Sequence, residues 1–257
     1  MNSIEAGLVV AACVFAGGMA GLLLHGYLPE THRSKETQDV VRLGTGMLSV
    51  LASLVLGLLI ATAKQAYDMV DHEMREYSAD LLLLNETLRD YGDDAAAPRR
   101  LLRLHAAKVL HDVWPRIAKQ QQVPPVRLED REAARLLERV RETIRALAPV
   151  DVGQKWLQEQ ALQVSASLLR QRLVLIQQEG ATVQPMILVI LVSWISFIFA
   201  SFGLNAPRNA TVTGAFLVCS LAIGGSISLI LEMDRPLNGV MKISSTPMVK
   251  ALAEMNR

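Results

Sequence analysis

The 257-residue chain has little cysteine, few aromatic residues and almost no charge along four of its segments. Its two cysteines, Cys13 and Cys219, both lie in apolar segments, and neither has a CxxC neighbour. This spacing argues against a disulfide framework or a zinc site. We therefore expect both thiols to act as small apolar packing residues, and we expect no metal and no cofactor.

The chain also lacks the marks of a nucleic-acid-binding protein or an enzyme. Its formal net charge is +1, without the basic excess of nucleic-acid-binding domains, so no nucleic-acid partner is expected. No GxxxxGK[ST], GxSxG, HExxH or dinucleotide-binding glycine pattern occurs, and the five histidines are scattered without metal-ligand spacing. The sequence therefore predicts neither a catalytic nor a metal site.

What the chain does have is long apolar segments. Hydrophobic residues make up 51% of it, and its acidic and basic residues, with the exception of Glu5, avoid four segments at about 4–28, 43–63, 183–204 and 210–231. Each has close to the roughly 20 residues needed to cross a bilayer, and backbone groups in lipid must pair within a helix. The first segment has no Lys or Arg before Arg33, so we expect a retained span and not a cleaved signal peptide.

The predicted fold is an all-α, polytopic membrane protein with four transmembrane helices and a helical cytoplasmic domain between spans two and three. Residues 1–63 hold the first two spans, 64–182 the cytoplasmic domain, 183–232 the last two spans and 233–257 a cytoplasmic tail. An even number of spans places both termini and the large domain on one face. Seven basic residues near the span ends on that face, against four on the other, favour the cytoplasm.

Four helices are expected in the domain, with a stop at Gly92 and a kink at Pro115. They are predicted at about 64–91, 98–121, 128–147 and 154–180. Residues 64–97 contain nine acidic and three basic residues, whereas residues 98–127 contain seven basic residues and one acidic residue. This indicates either an antiparallel hairpin with complementary faces or two solvated surfaces with local ion pairs.

Small residues recur every four positions in the second span, at Thr45, Ser49, Ser53, Gly57 and Ala61. Residues four apart are neighbours on a helix, so these side chains form one slowly drifting stripe. Two interpretations stay open: close helix packing, or the wall of a pore in which hydroxyls and carbonyls replace part of an ion's water shell. The bulky residues predicted to lie opposite, facing lipid, are Leu51, Leu54, Val55, Leu58 and Leu59.

Two other spans carry related patterns. Gly17 and Gly21 form a GxxxG in the first span, which we assign to helix packing. A second four-residue stripe in the fourth span consists of Ser220, Gly224 and Ser228. Glu232 is the next residue at this four-residue spacing, and Asp234 lies two positions after it. An acid at a membrane boundary is a functional candidate, so we name both as gating or interface residues, although they would also fit as simple markers of the membrane surface.

The order of parts resembles the bacterial bestrophin-like domain family over nearly the whole chain. The resemblance is carried by two spans, a long helical domain, two more spans and the segments Ala63-Lys64-Gln65-Ala66-Tyr67-Asp68 and Glu232-Met233-Asp234-Arg235-Pro236-Leu237-Asn238-Gly239. It implies a relation to bestrophins, which are pentameric chloride channels whose second span lines the pore. Residues 43–63 lack the aromatic constriction of those channels, and their acidic calcium-binding run is missing, so no calcium gating is expected.

The leading hypothesis is a homo-oligomeric ion channel in the bacterial inner (plasma) membrane, lined by the stripe from Thr45 to Gly57. Its partners would be the lipid bilayer, other copies of itself and an inorganic ion, with a pentamer and anion selectivity implied by the resemblance. Four helices are too few to enclose a conduit, so copies related by symmetry should complete the wall. The alternative is a non-conducting scaffold or sensor that binds a partner through its cytoplasmic helices. The topology alone also fits proton-driven stator subunits.

Overall fold

A computed structural model describes residues 2–24, 35–123, 130–177, 184–237, 239 and 241–256. Within these residues the chain is helical and has no strand, which confirms the predicted all-α class. In chain order the helices are α1 (Ser3–Leu24), α2 (Lys35–Tyr91), α3 (Ala96–Val113), α4 (Pro115–Gln120), α5 (Asp130–Arg145), α6 (Val152–Gln177), α7 (Pro185–Asn205), α8 (Ala210–Met233) and α9 (Thr246–Met255). Four of them, namely α1, α2, α7 and α8, are long and apolar enough to cross a membrane.

The chain divides into two compact units. The first consists of Met1–Tyr67, Ala181–Arg235 and Gly239–Met241. The second consists of Asp68–Gly180, Pro236–Asn238 and Lys242–Arg257. The helix α2 contributes residues to both. Several predicted features, among them the ends of the first span and of the fourth domain helix, lie outside the described residues.

The first unit is built on very close contacts of α1 with α7 and α8. A Cβ atom added to Gly17 would lie 2.7 Å from the carbonyl oxygen of Ser196, and one added to Gly21 would collide with the carbonyl of Ala200. Backbones approach this closely only where no side chain intervenes. The GxxxG of the first span is therefore a packing motif, as predicted.

The small stripe of α8 is used in the same way. Gly224 lies against the backbone of Gly7 and the side chain of Ala11, and Ser228 lies against Gly7 as well. At the other end of α1, the guanidinium of Arg208 donates hydrogen bonds to the carbonyls of Leu22 and Leu23, both at 3.0 Å. These bonds satisfy carbonyls that a helix end leaves without intrahelical partners. Packing and capping together fix α1 in the unit.

One helix boundary was predicted wrongly. The second span and the first domain helix were predicted to meet at residues 63 and 64, but α2 is continuous over 57 residues. Charge begins at Lys64, yet hydropathy does not break a helix, and neither proline nor glycine occurs between Leu58 and Tyr91. The helix ends where predicted, at Gly92, whose φ of 113° lies in the region that favours glycine.

In the second unit, α2 and α3 form an antiparallel hairpin, which was one of the two predicted arrangements. The Tyr77 hydroxyl contacts His105 Nε2 at 2.5 Å, and Arg99 Nε donates to Asn85 Oδ1 at 3.4 Å. From the first contact to the second, the residue number increases on α2, from Tyr77 to Asn85, and decreases on α3, from His105 to Arg99. The two helices therefore run in opposite directions. The ion pairs of these helices, such as Arg75 with Asp71 and Lys108 with Asp112, lie within one helix. The described ion pairs therefore fit local pairing and not complementary charged faces.

The rest of the unit holds the predicted kink and one helix that was missed. The chain leaves helical geometry at Trp114, between α3 and Pro115, and the indole Nε1 of Trp114 donates to the carbonyl of Ile243 at 3.0 Å. The helix α3 packs on α5 and α9, and α5 packs on α6. The helix α9 lies in the segment predicted as a tail. Its buried residues follow helical spacing, at Met248, Ala251, Leu252 and Met255.

The buried Tyr77–His105 contact should make the stability of the protein depend on pH. Burial, with a smaller contribution from the positive charge of Arg172, lowers the pKa of His105 from 6.5 to about 4. The unfolded chain therefore binds the proton first as the pH falls, and stability is lost between about pH 6.5 and pH 4. A pKa difference of this size corresponds to about 3 kcal/mol in the free energy of unfolding.

Thermal unfolding of the full chain in detergent, at pH 6.5 and 4.5, measures this effect. His105→Gln keeps a group that can hydrogen-bond to Tyr77 but does not titrate. We expect the wild type to lose more thermal stability than the variant over this interval. Equal losses in the two proteins would contradict the assignment.

Candidate functional site

The small stripe of α2 begins on a buried surface and ends on an exposed one. Thr45 is buried, Ser49 is half-buried, and Ser53 and Gly57 are exposed. Each residue of an α-helix advances by about 100°, so a step of four residues overshoots one turn by about 40°. Three such steps rotate the stripe by about a third of a turn. The sequence therefore predicted the stripe itself, and the helix geometry determines which part of it is open.

The prediction that the bulky residues opposite the stripe face lipid was correct for only some of them. Leu51, Leu54 and Leu58 are exposed as predicted, but Leu59 is buried and Val55 is half-buried. Both pack into the core of the first unit, beside Ala52 and Ala63 of the same helix. The prediction was wrong for these two because bulky apolar residues suit a helix contact as well as they suit lipid.

The part of α2 in the first unit therefore has three faces. Its core face consists of Ala52, Leu59 and Ala63, and its bulky face of Leu51, Leu54 and Leu58. The small-residue face consists of Gly46, Ser49, Ser53 and Gly57. On a helical projection the small-residue face lies between the other two, with three of its four members exposed.

The small-residue face differs from the stripes of α1 and α8 because no part of the chain that the structure describes covers it. A Cβ atom added to Gly46 or to Gly57 would meet no described atom within 4 Å. The corresponding atom on Gly21 or Gly224 would collide with a neighbouring helix. Packing within the chain therefore explains the small residues of α1 and α8, but it does not explain those of α2.

The hydroxyl groups of the stripe are oriented by their own helix. Thr45 donates to the carbonyl of Val41 at 2.7 Å, Ser49 to Thr45 at 2.8 Å and Ser53 to Ser49 at 2.8 Å. Each hydroxyl has one proton and two lone pairs. With the proton donated to the backbone, the oxygen atoms of Ser49 and Ser53 offer lone pairs to whatever lies beyond the helix.

The acidic candidates lie at the end of α8. Glu232 is buried, and its carboxylate accepts hydrogen bonds from the Ser3 hydroxyl and from the backbone N–H of Met241, the latter at 3.1 Å. Gly239 packs so closely on it that an added Cβ would lie 2.6 Å from Glu232 Oε1. Asp234 is buried as well. Glu232 thus joins the first turn of α1 to the segment after α8, while a role of either acid in gating remains a prediction.

Sequence reasoning did not identify the partners of Glu232. Ser3 lies 229 positions away, and the other partner is a backbone amide, which no residue type marks. Ser3 and Glu5 in the first turn of α1 form no sequence pattern that predicts this contact. Among the described residues, no three His, Cys, Asp or Glu side chains lie together as metal ligands would.

Known proteins resemble this chain in sequence pattern and in fold. Residues 12–248 match a sequence model of the family Bestrophin-like domain. A crystal structure of a point variant of a bacterial bestrophin homologue from Klebsiella pneumoniae is 11% identical, covers 96% of this chain and 98% of its own, and has a TM-score of 0.66. Another variant of that homologue is 13% identical at the same coverage, with a TM-score of 0.65.

A crystal structure described as that of a membrane protein is 14% identical, covers 97% of this chain and 98% of its own, and has a TM-score of 0.61. No match was found among curated proteins. Identities this low establish a shared fold, whereas the sequence match spans most of the chain. The four apolar helices accord with a membrane protein. This chain belongs to the bestrophin-like domain family.

Proposed function

We propose that the protein is a homo-oligomeric ion channel of the bacterial plasma membrane, in which the small-residue face of α2 lines a water-filled axis. The observation that carries the proposal is that the described residues leave this face open, whereas they pack against the equivalent stripes of α1 and α8. Membership of a family known for ion channels supports the same function.

The chemistry of the face favours water over lipid as its surroundings. Acyl chains offer no hydrogen-bond partner to the oxygen atoms of Ser49 and Ser53 or to the backbone that Gly46 and Gly57 leave uncovered. Leu51, Leu54 and Leu58 on the bulky face suit lipid or a neighbouring subunit. One chain has too few helices to surround a conduit, so a ring of identical copies would place its small-residue faces around one axis.

The orientation of the hydroxyl groups suggests which ions the axis would pass. Cations are coordinated by oxygen lone pairs, whereas anions need hydrogen-bond donors. Because Ser49 and Ser53 donate their protons to the backbone, they present acceptors. We therefore propose a preference for cations in place of the anion selectivity that the resemblance implied.

The test is a recording from the purified full-length protein in planar bilayers under a KCl gradient. We expect single-channel currents whose reversal potential lies toward the potassium equilibrium potential. A reversal toward the chloride potential would reject the cation preference. Absence of current under every voltage, from protein that is shown to be folded and inserted, would reject the channel itself.

A second candidate function is a scaffold or sensor that binds a partner through the second unit. Val150, Val152 and Trp156 are 84%, 86% and 62% exposed, around the start of α6. Such an apolar group on a water-exposed domain is typical of a protein-binding surface. Folded protein that forms oligomers yet conducts no ions would favour this function over the channel.

A further inference from the structure

A cavity of about 510 Å³ lies within the first unit, between α1, α7 and α8. From α1 it is lined by Ala6, Val10 and Cys13, which follow helical spacing and so form one wall. Leu188 and Val192 of α7 belong to the opposite wall. Its volume falls in the range of small-molecule sites in proteins, which is roughly 300–1,000 Å³. Apolar walls of this kind do not hold water well.

The charged groups of the cavity lie at one end, and one further polar residue, Ser193, lines it farther along α7. Ser3, Asp234 and Arg235 line the charged end, where α1 begins and α8 has just ended. The wall from Ser3 to Cys13 spans ten residue steps, or about 15 Å of helix. This is half of the roughly 30 Å hydrocarbon core of a bilayer, the depth of one leaflet. The cavity therefore has the length and the polarity of a lipid with its head at one end.

The cavity is also open to the surroundings of the helices. Val9 and Val189 belong to its lining and are 53% and 65% exposed. In a membrane protein this opening faces acyl chains or a neighbouring subunit. Arg235 at the polar end is exposed, and a guanidinium binds phosphate with two parallel hydrogen bonds. The buried carboxylate of Asp234 beside it disfavours a free anion, which would gain nothing from the apolar walls.

We propose that the cavity binds one acyl chain of an anionic phospholipid, taken from the adjacent leaflet, with the lipid phosphate against Arg235. The apolar walls supply the affinity for the acyl chain, and Arg235 supplies the preference for an anionic headgroup. Bound in this way, the lipid would fill the space between α1 and α7 and remain with the protein when the membrane is dissolved.

Two adjacent residues of α1 give a matched pair for the first test. Val9 and Leu8 are similarly exposed, at 53% and 59%, but only Val9 belongs to the cavity lining. Val9→Trp should fill the cavity, whereas Leu8→Trp adds the same side chain elsewhere. Native mass spectrometry of the detergent-purified protein should show bound phospholipid on the wild type and on L8W, and little on V9W. Equal retention by V9W and L8W would overturn the proposal.

The two cysteines give a second test within one molecule. Both are exposed, and only Cys13 belongs to the cavity lining. In delipidated protein, added phosphatidylglycerol should slow the alkylation of Cys13 by N-ethylmaleimide relative to that of Cys219, as measured on the separated peptides. If Cys13 is equally protected without lipid, a neighbouring subunit occupies the cavity and the proposal fails. If lipid changes neither rate, the proposal fails as well.

The role of Arg235 is tested with Arg235→Gln. Loss of a charge-assisted hydrogen bond should raise the phosphatidylglycerol concentration that half-protects Cys13 by about tenfold. Hexadecanol, which carries a chain but no charge, should protect Cys13 equally in the wild type and in R235Q. An unchanged phosphatidylglycerol concentration would overturn the assignment of the headgroup to Arg235, and protection by inorganic phosphate alone would overturn the assignment of the walls to an acyl chain.

Discussion

Replacing Ser53 with leucine is expected to reduce the single-channel current by at least about tenfold without unfolding the protein. Ser53 is exposed on the small-residue face. A larger side chain at this position therefore points away from the described residues of its own chain. In a ring of copies, leucines at one level of the axis would form an apolar constriction that excludes water. An added barrier of about 1.4 kcal/mol is enough for a tenfold loss of flux.

The control is Gly44→Leu, which makes a similar change on the other side of the same helix. Gly44 is exposed, and a Cβ atom there meets nothing within 4 Å. It lies nine residues from Ser53, which is about half a turn away in projection. G44L should conduct like the wild type, and planar-bilayer recordings compare the two variants directly. Equal currents from S53L and the wild type, or a loss in G44L alone, would contradict the proposed axis.

Replacing Gly224 with leucine is expected to prevent the first unit from folding. An added Cβ at this position would lie against the carbonyl of Gly7 and 2.8 Å from the Cβ of Ala11. The obstacle is a helix backbone, which cannot move aside as a flexible side chain can. Overpacking of a core usually costs about 1–3 kcal/mol, and a backbone collision across α1 and α8 should exceed this range. We expect loss of monodisperse protein in size-exclusion chromatography.

Gly225 provides the matched control because it is the next residue of α8. A Cβ atom on Gly225 meets nothing within 4 Å, so Gly225→Leu makes the same change in size and helix propensity without the collision. G225L should therefore elute as the wild type does. If G224L were as stable as G225L, the close contact between α1 and α8 described here would be wrong.

Much of the fold could be predicted from charge and hydropathy, because lipid-compatible segments must be both long and apolar. The bounds of α7 and α8 lie within a few residues of the predicted spans, at Pro185–Asn205 and Ala210–Met233. The continuity of α2 was missed because a change from apolar to charged residues resembles a boundary, although only glycine or proline would have imposed one. Helix α9 was missed although its buried residues are spaced as on an amphipathic helix.

The candidate site was predictable only in part. Four-residue spacing identified the stripe of α2 correctly, and it identified similar patterns in α1 and α8. The spacing could not predict which of these small-residue patterns would pack against another helix, because that depends on which helices come into contact. Val55 and Leu59 were assigned to the wrong surface for the same reason. The contact between Ser3 and Glu232 also arises only in three dimensions, because it joins residues that are 229 positions apart.

The most direct test of the channel is the reaction of a cysteine at position 53 with a charged thiol reagent applied from the aqueous side. In a background with Cys13→Ala and Cys219→Ala, Ser53→Cys should react with a membrane-impermeant methanethiosulfonate, and the current through planar bilayers should fall. Leu54→Cys, on the adjoining surface of α2, should be unaffected. A conducting protein in which Ser53→Cys does not react while Leu54→Cys does would show that the small-residue face does not line the water-filled path.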